Sequence, residues 1–331
     1  MKIIKSCLKY LSVVSLMTLT VFSSNSMADM TFKLAHSAPK SDLQQTMSLY
    51  FKKEVENRSH GDIKVNIFPH GQLGTDSQLI QETRLGVIAF SIVGLNNYSG
   101  LLPESSAFTL PFMFPNRKTA YKVLDGKVGQ SVLKSMEQFG IKGLGYPENG
   151  YRNITNNRGP IREPSDLKGL RMRVNGSKAL NDMFALLGAN PTQIPASELY
   201  NALETNVVNA QDQPIPVTLS YKLYEVQKYL SLTQHAYSPL VFAMNLNKFN
   251  RLSPKNQKII MSSAKDAIAM QRKLSVDKEA KMIAELEANG MKVNLDVDTE
   301  AFRKAVKPVW NAFIKQYGDK MVNEILAASK Q

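Results

Sequence analysis

The sequence predicts an α/β protein of two domains, and three observations carry that reading. From Met30 onward, short apolar runs alternate with stretches of helical period. The chain has 331 residues, and the roughly 300 that follow an N-terminal leader usually form two domains. Ser253 to Gly290 then reads as one helical run with no proline after Pro254, an unusual length for a globular helix. That run is either a spine lying across both domains or two helices with a concealed break. No Pro/Gly/Ser-rich linker divides the chain, which predicts domains joined by crossing strands and helices and not by a tether.

The leader comes first. Lys2, Lys5 and Lys9 precede a run of apolar residues and small hydroxyls from Tyr10 to Phe22, and Ser26-Met27-Ala28 ends it with small residues. This is the pattern of a secretory signal peptide, residues 1–28, cut after Ala28 for export to the periplasm. The run is too short and too rich in Ser and Thr for a membrane anchor. The single cysteine, Cys7, lies inside the leader, so the mature chain is expected to lack disulfides and cysteine metal ligands. Losing three lysines and no acid lowers the formal charge from +13 to +10. Such a chain attracts anions, but it has no block of basic residues and no basic–aromatic interleaving, so nucleic acid is not an expected partner.

The elements follow in order. TFKLAHS reads as a strand, Asp42 to Ser59 as an amphipathic helix, and IKVNIFP as a strand. Gln72-Leu73-Gly74 turns into a helix that Gly86 ends, and VIAFSIV is apolar enough for a strand buried on both faces. The strand–helix–strand–helix–strand order implies parallel pairing. LPFMFP (Leu110 to Pro115) is a packed connection, and Arg117 to Phe139 is helical with interruptions near Gly126 and Gly129. IKGLGYPE is the next strand and turn. Lys178 to Leu187 and Ala196 to Glu204 are helices, and VVNAQDQPIP is a strand ending in an amide–acid–amide–proline loop. Tyr224 to Leu232 leads into a separate apolar strand, SPLVFAMN. Ser253 and Pro254 are good N-cap and first-turn residues. Asp298 to Ser329 reads as a terminal helix.

The familiar catalytic signatures are missing. His36, His60, His70 and His235 show no metal-ligand spacing, and there is no Walker loop, GxGxxG or GxSxG. SxxK occurs at Ser131–Lys134 and Ser165–Lys168, without the SDN and KTG that accompany it in penicillin-recognising enzymes. The expectation is a binding protein without cofactor or metal; a secreted SxxK-type serine hydrolase is the enzymatic alternative.

The segment Gly150 to Asn175 is the most suggestive. It holds five arginines: Arg152, Arg158, Arg162, Arg171 and Arg173. Spacing alone favours solvated surface charge, the usual state of arginine. Yet Leu170, Met172 and Val174 alternate with Arg171, Arg173 and Asn175, the period of a half-buried strand. A guanidinium fixed on a strand grips a carboxylate through two parallel hydrogen bonds, which lysine cannot do. Alternation puts Arg171 and Arg173 on one side and does not choose between them.

Several stretches, taken together and in order, resemble the solute receptors of tripartite ATP-independent periplasmic (TRAP) transporters, the DctP-like family, over nearly all of the mature chain. They are GQLG (Gly71 to Gly74), LPFMF, GYRNITNNRGPI, DLKGLRMRV, LGANPTQIPASELYNAL, VVNAQDQP and KLYEVQKYLSLTQHAYSP. The resemblance implies a periplasmic binding-protein fold with a hinged cleft, domain I at 29–149 plus 240–278 and domain II at 150–239 plus 279–331. It implies a monomeric receptor that hands an organic acid to membrane permease subunits, driven by an ion gradient; a sensory receptor without transport is the other alternative. By resemblance, Arg173 is the carboxylate clamp, Arg152 supports it, and Gln213 stands where the family usually has asparagine. Asp76 and His235 fall near cleft positions. The pocket phenylalanine and glutamate of the sialic-acid receptors correspond to Ala196 and Gly94, with Asn96 and Asn97 offering polar contacts instead. The expected ligand is therefore another carboxylate, such as a uronate or aldonate, with a small dicarboxylate or keto acid still open.

Overall fold

The computed structural model describes residues 30–330; the expected leader and its cleavage point lie outside them. The chain opens with β1 (Met30–His36), α1 (Leu43–Arg58), β2 (Ile63–Phe68), α2 (Asp76–Leu85) and β3 (Phe90–Gly94). β1 lies between β2 and β3 and pairs parallel with both, as the βαβαβ order requires. Thr75 caps α2 in a reciprocal capping box with Gln78, and Gly86 closes the helix at φ 77°. Next come α3 (Arg117–Asp125) and α4 (Lys127–Ser135), broken at Gly126 as expected. Gly129, the other expected interruption, lies inside α4, where a Cβ would overlap the Leu124 carbonyl.

The second half holds β4 (Ile141–Gly145), β5 (Glu148–Asn156), β6 (Arg171–Val174), α5 (Lys178–Leu186), β7 (Asn190–Gln193), α6 (Leu199–Glu204), β8 (Ala210–Pro214) and α7 (Ile215–Ser220). The expected amide–acid–amide–proline loop is β8 itself: Gln211 to Pro214 all pair with β5, which satisfies their backbone groups inside a sheet.

β9 (Tyr229–Asn245) corrects a second expectation. It is one strand of 17 residues that begins at Tyr229, inside the expected lead-in, and not a separate strand starting at Ser238. Pro239 lacks an N–H, which argues against a continuous strand, but it sits where the register with β5 shifts, opposite Glu148. Beyond it, Leu240 to Met244 pair antiparallel with β3, and Phe242 to Asn245 with β4. β9 thus links two sheet halves, β2-β1-β3 on one side and β5-β8-β6-β7 on the other.

After α8 (Leu246–Asn250), α9 runs unbroken from Pro254 to Ala288, so the spine reading holds. Its 35 residues span about 52 Å at 1.5 Å per residue. Near its start Arg58 of α1 donates to Ser262 (3.0 Å) and Asp266 (2.6 Å). In the middle, Gln271 accepts from Glu148 N–H (2.9 Å) and donates to Glu148 O (2.6 Å). Near its end Met282 and Leu286 pack with Ile215 and Leu230. β10 (Lys292–Asn294) adds to β9. The expected terminal helix is three: α10 (Thr299–Ala305), α11 (Lys307–Tyr317) and α12 (Lys320–Lys330), with Pro308 opening α11 and Gly318 at φ 81° ending it. α12 returns to pack on α3 and α4, across the expected domain division. No helix among the described residues is long and apolar enough to cross a membrane.

Candidate functional site

The two sheet halves face each other across a cavity, and the strands that bring polar side chains to it also explain why those side chains stay there. β6 lies between β8 and β7, paired parallel with both. Arg173 on β6 is 1% exposed and lines the cavity. Its Nε–H donates to the Ile194 carbonyl (2.8 Å), while the buried Nη1 has no hydrogen-bond partner among the described residues. Burial, with the charge of Arg152 adding to it, lowers its pKa to about 10, so it remains a cation at neutral pH. Arg171, on the same face two residues earlier, is exposed and ties the strand to the Asn206–Val207 turn through the Asn206 and Val207 carbonyls (2.9 and 3.2 Å). Alternation could not separate the two because the cover over that face ends between them.

Arg152 on β5 also lines the cavity and is 2% exposed. Its Nε–H donates to Asp212 Oδ2 (2.5 Å) and its Nη2 to the Asp212 carbonyl. Burial would raise the Asp212 pKa, but the charge of Arg152 and the hydrogen bond from His235 outweigh it and hold it at about 2. His235 is neutral, because burial depresses its pKa. A carboxylate only accepts, so His235 Nε2–H donates to Asp212 Oδ2 (3.1 Å) and Nδ1 accepts from the Thr233 hydroxyl (2.8 Å). His235 therefore stands behind the arginine, edge-on to Phe184, and does not line the cavity as expected.

The opposite wall comes from the β1–β3 half. Asp76 is the first residue of α2; its Oδ1 accepts from Ser37 Oγ–H (2.6 Å) and its Oδ2 from Asn97 Nδ2 (3.3 Å). Burial pushes the Asp76 pKa up, and the charge of Arg173 partly opposes this. Asn96 and Asn97 sit in the turn after β3, and the buried Asn96 Nδ2 has no partner among the described residues. Gln213, 5% exposed, Gly94 and Ala196 complete the expected lining.

The structure therefore brings Asp76, Asn96, Asn97, Arg152, Arg173 and Gln213 to one cavity. Sequence reasoning missed Ser37, Gln44, Asn149, Asn175 and Tyr221. Asn175 was readable, since it shares the parity of Arg173 on the strand; Tyr221 carried no signal. Asp212 stood inside a quoted motif, but its value depends on Arg152 lying beside it. The SxxK serines lie elsewhere: Ser131 Oγ–H donates to the Val128 carbonyl (2.7 Å), and Ser165 Oγ–H to Glu163. No group of three or more His, Cys, Asp or Glu among the described residues is placed to hold a metal ion.

A buried arginine with a free N–H, beside an arginine already neutralised and a wall of amides, is an arrangement suited to an organic anion with hydroxyls. The 2,3-diketo-L-gulonate-binding periplasmic protein of Escherichia coli (strain K12) is 40% identical over 298 residues, 90% of this chain and 91% of that protein. A TRAP periplasmic solute-binding protein from Polaromonas sp. JS666, solved bound to D-erythronate, superposes with a TM-score of 0.87 at 35% identity, covering 89% of this chain and 98% of its own. The sugar acid binding protein of Advenella mimigardefordensis strain DPN7T, solved with galactonate, gives a TM-score of 0.88 at 34% identity, covering 91% and 97%. Residues 34–316 match the model of the bacterial extracellular solute-binding proteins, family 7, and the chain belongs to that family, the DctP family of TRAP solute receptors.

Proposed function

We propose that this chain is a periplasmic receptor for a sugar monoacid, an aldonate or uronate, which it carries to the membrane subunits of a TRAP transporter. The N-terminal leader motif supports export, and the relatives are named as periplasmic proteins. The observation that carries the ligand reading is the unpartnered Nη1 of Arg173 inside the cavity. Charge then narrows the class. Two cations line the cavity, and Arg152 is already paired with Asp212. That leaves Arg173 for one carboxylate. A second carboxylate would meet Asp76 and no further arginine or lysine of the lining. The remaining polar groups, Asn96, Asn97, Asn149, Asn175, Gln44 and Gln213, offer donors and acceptors in pairs, which suits hydroxyls.

Thermal unfolding with galactonate, erythronate, glucuronate, 2,3-diketogulonate and succinate tests the reading. A ligand at a hundred times its Kd adds about 2.7 kcal/mol to stability by mass action. The expected result is a raised melting temperature with at least one sugar acid and none with succinate. A shift with succinate alone overturns the ligand class, and no shift with any carboxylate overturns the receptor reading.

A further inference from the structure

A second set of contacts joins the two halves of the molecule on either flank of the cavity. On one flank, Ser220 at the end of α7 donates its hydroxyl to Asp42 Oδ2 (2.7 Å), and Ser41 Oγ–H reaches the Ser220 carbonyl (3.3 Å). Asp42 is 3% exposed and caps α1, its Oδ1 accepting from Gln44 N–H (2.8 Å). Its second oxygen depends on Ser220, which belongs to the other half. On the opposite flank, Gly176 follows β6 and lies against Asn97. A Cβ at position 176 would sit 2.8 Å from Asn97 Oδ1 and 3.4 Å from Gln193 Nε2. Its φ is outside the left-handed region, so the close approach, and not the backbone, is what requires glycine there. Asn97 has little freedom to retreat, because its Nδ2 donates to Asp76 Oδ2 (3.3 Å). Ser99 Oγ–H reaches the Gly176 carbonyl from the same side as Asn97 (3.4 Å).

We propose that Ser220 on Asp42, and Gly176 against Asn97 and Ser99, form a closing interface that sets how long a ligand is held. The proposal rests on the receptor reading and adds positioning residues to it. The reason is thermodynamic. Apparent affinity scales with the population of the ligand-holding conformation. A contact made only when the halves meet stabilises that conformation whatever the ligand, and breaks when it reopens. Its loss therefore appears in the dissociation rate, while the encounter with the open cleft is unchanged. Removing the Ser220 hydroxyl leaves a buried carboxylate oxygen unpaired in the closed form, whereas water can reach it when the halves part.

The test uses the whole mature protein with galactonate and D-erythronate as probes, and follows dissociation by surface plasmon resonance. Ser220→Ala is expected to dissociate about tenfold faster, the scale of a lost hydrogen bond to a charged group. Its association rate and the melting temperature of the ligand-free protein should match the parent, and Ser220→Thr, which keeps a hydroxyl, should restore slow release. Gly176→Ala should also release faster, with the same rank order of ligands. Parental dissociation rates in both Ala variants overturn the proposal. So does a fall in ligand-free melting temperature that accounts for the weaker binding, since that marks a contact present in both conformations. If the parent binds only succinate, the ligand class fails and the same rates are read with succinate; if it binds no carboxylate, the receptor reading itself fails and the proposal with it.

Discussion

Arg152 and Arg173 come from strands of the same sheet half, are buried to almost the same degree and line the same cavity. Arg152 is held by the Asp212 carboxylate and carbonyl, and Asp212 in turn by His235. Arg173 has one backbone carbonyl and a bare Nη1. Burial of a charge therefore does not by itself mark a ligand site. The marker is a buried charge whose hydrogen-bonding capacity the fold leaves unused, because such a group is costly unless something else completes it.

The comparison can be broken from the Arg152 side first. Asp212→Ala should destabilise the ligand-free protein by about 3–5 kcal/mol, the cost of stranding one member of a buried ion pair. Urea unfolding measures it, and a loss below about 1 kcal/mol would mean that Arg152 finds other partners easily. On the Arg173 side the loss should fall on binding. Arg173→Ala should cost about 2–5 kcal/mol of affinity for a carboxylate, roughly tenfold to several thousandfold. It should leave ligand-free stability unchanged or raised, since an under-satisfied guanidinium is gone. Titration calorimetry with the bound acid measures the loss, and there Arg171→Ala should bind like the parent, because its side chain only ties down an exposed turn. A damaged Arg171→Ala with an intact Arg173→Ala would reverse the assignment.

His36 extends the contrast away from the arginines. It is fully buried, and its Nε2 meets Gln45 Oε1 (3.0 Å). Burial lowers its pKa to about 4 from 6.5. The unfolded chain then takes up a proton near pH 6.5 that the folded protein refuses until about pH 4. His36 should therefore contribute a fall in stability as pH drops through that window, of at most about 3 kcal/mol, that levels off below it; His235, also lowered by burial, adds to the same limb, and Asp212, held at about 2, extends it to lower pH. Unfolding in urea at steps of pH checks the limb, and His36→Gln should make it shallower between pH 6.5 and 4. Persistence of the full limb in that variant would move its origin to other groups.

How much of this was legible follows from the range of the interaction involved. The βαβαβ opening, the cap of α9 and the helix-ending glycines are local, and periodicity and residue type reported them. Arg173 stood out because strand alternation and a family motif converge on it. Choosing it over Arg171 needed the cover that the rest of the molecule places over β6. Asp212 and Tyr221 act through neighbours distant in sequence, Arg152 and His235 for the one and Ser37 for the other, which no single-chain pattern displays. The first part of β9 was missed for a related reason: Tyr229 to Tyr237 is held as strand by pairing with β5, about 80 residues earlier in the chain.

That strand has a consequence for how the protein comes into being. The outer edge of β3 pairs with Leu240 to Met244 and with nothing earlier in the chain. Until those residues have been synthesised, the first three strands carry an open edge, a template for pairing with another molecule. Completing the sheet waits on a contact of large sequence separation, the kind that slows folding most. A fragment ending before residue 240 should therefore aggregate. The N-terminal half gains a partner along β3 only when the chain returns to it, so that half is not a unit that can be cut out and kept.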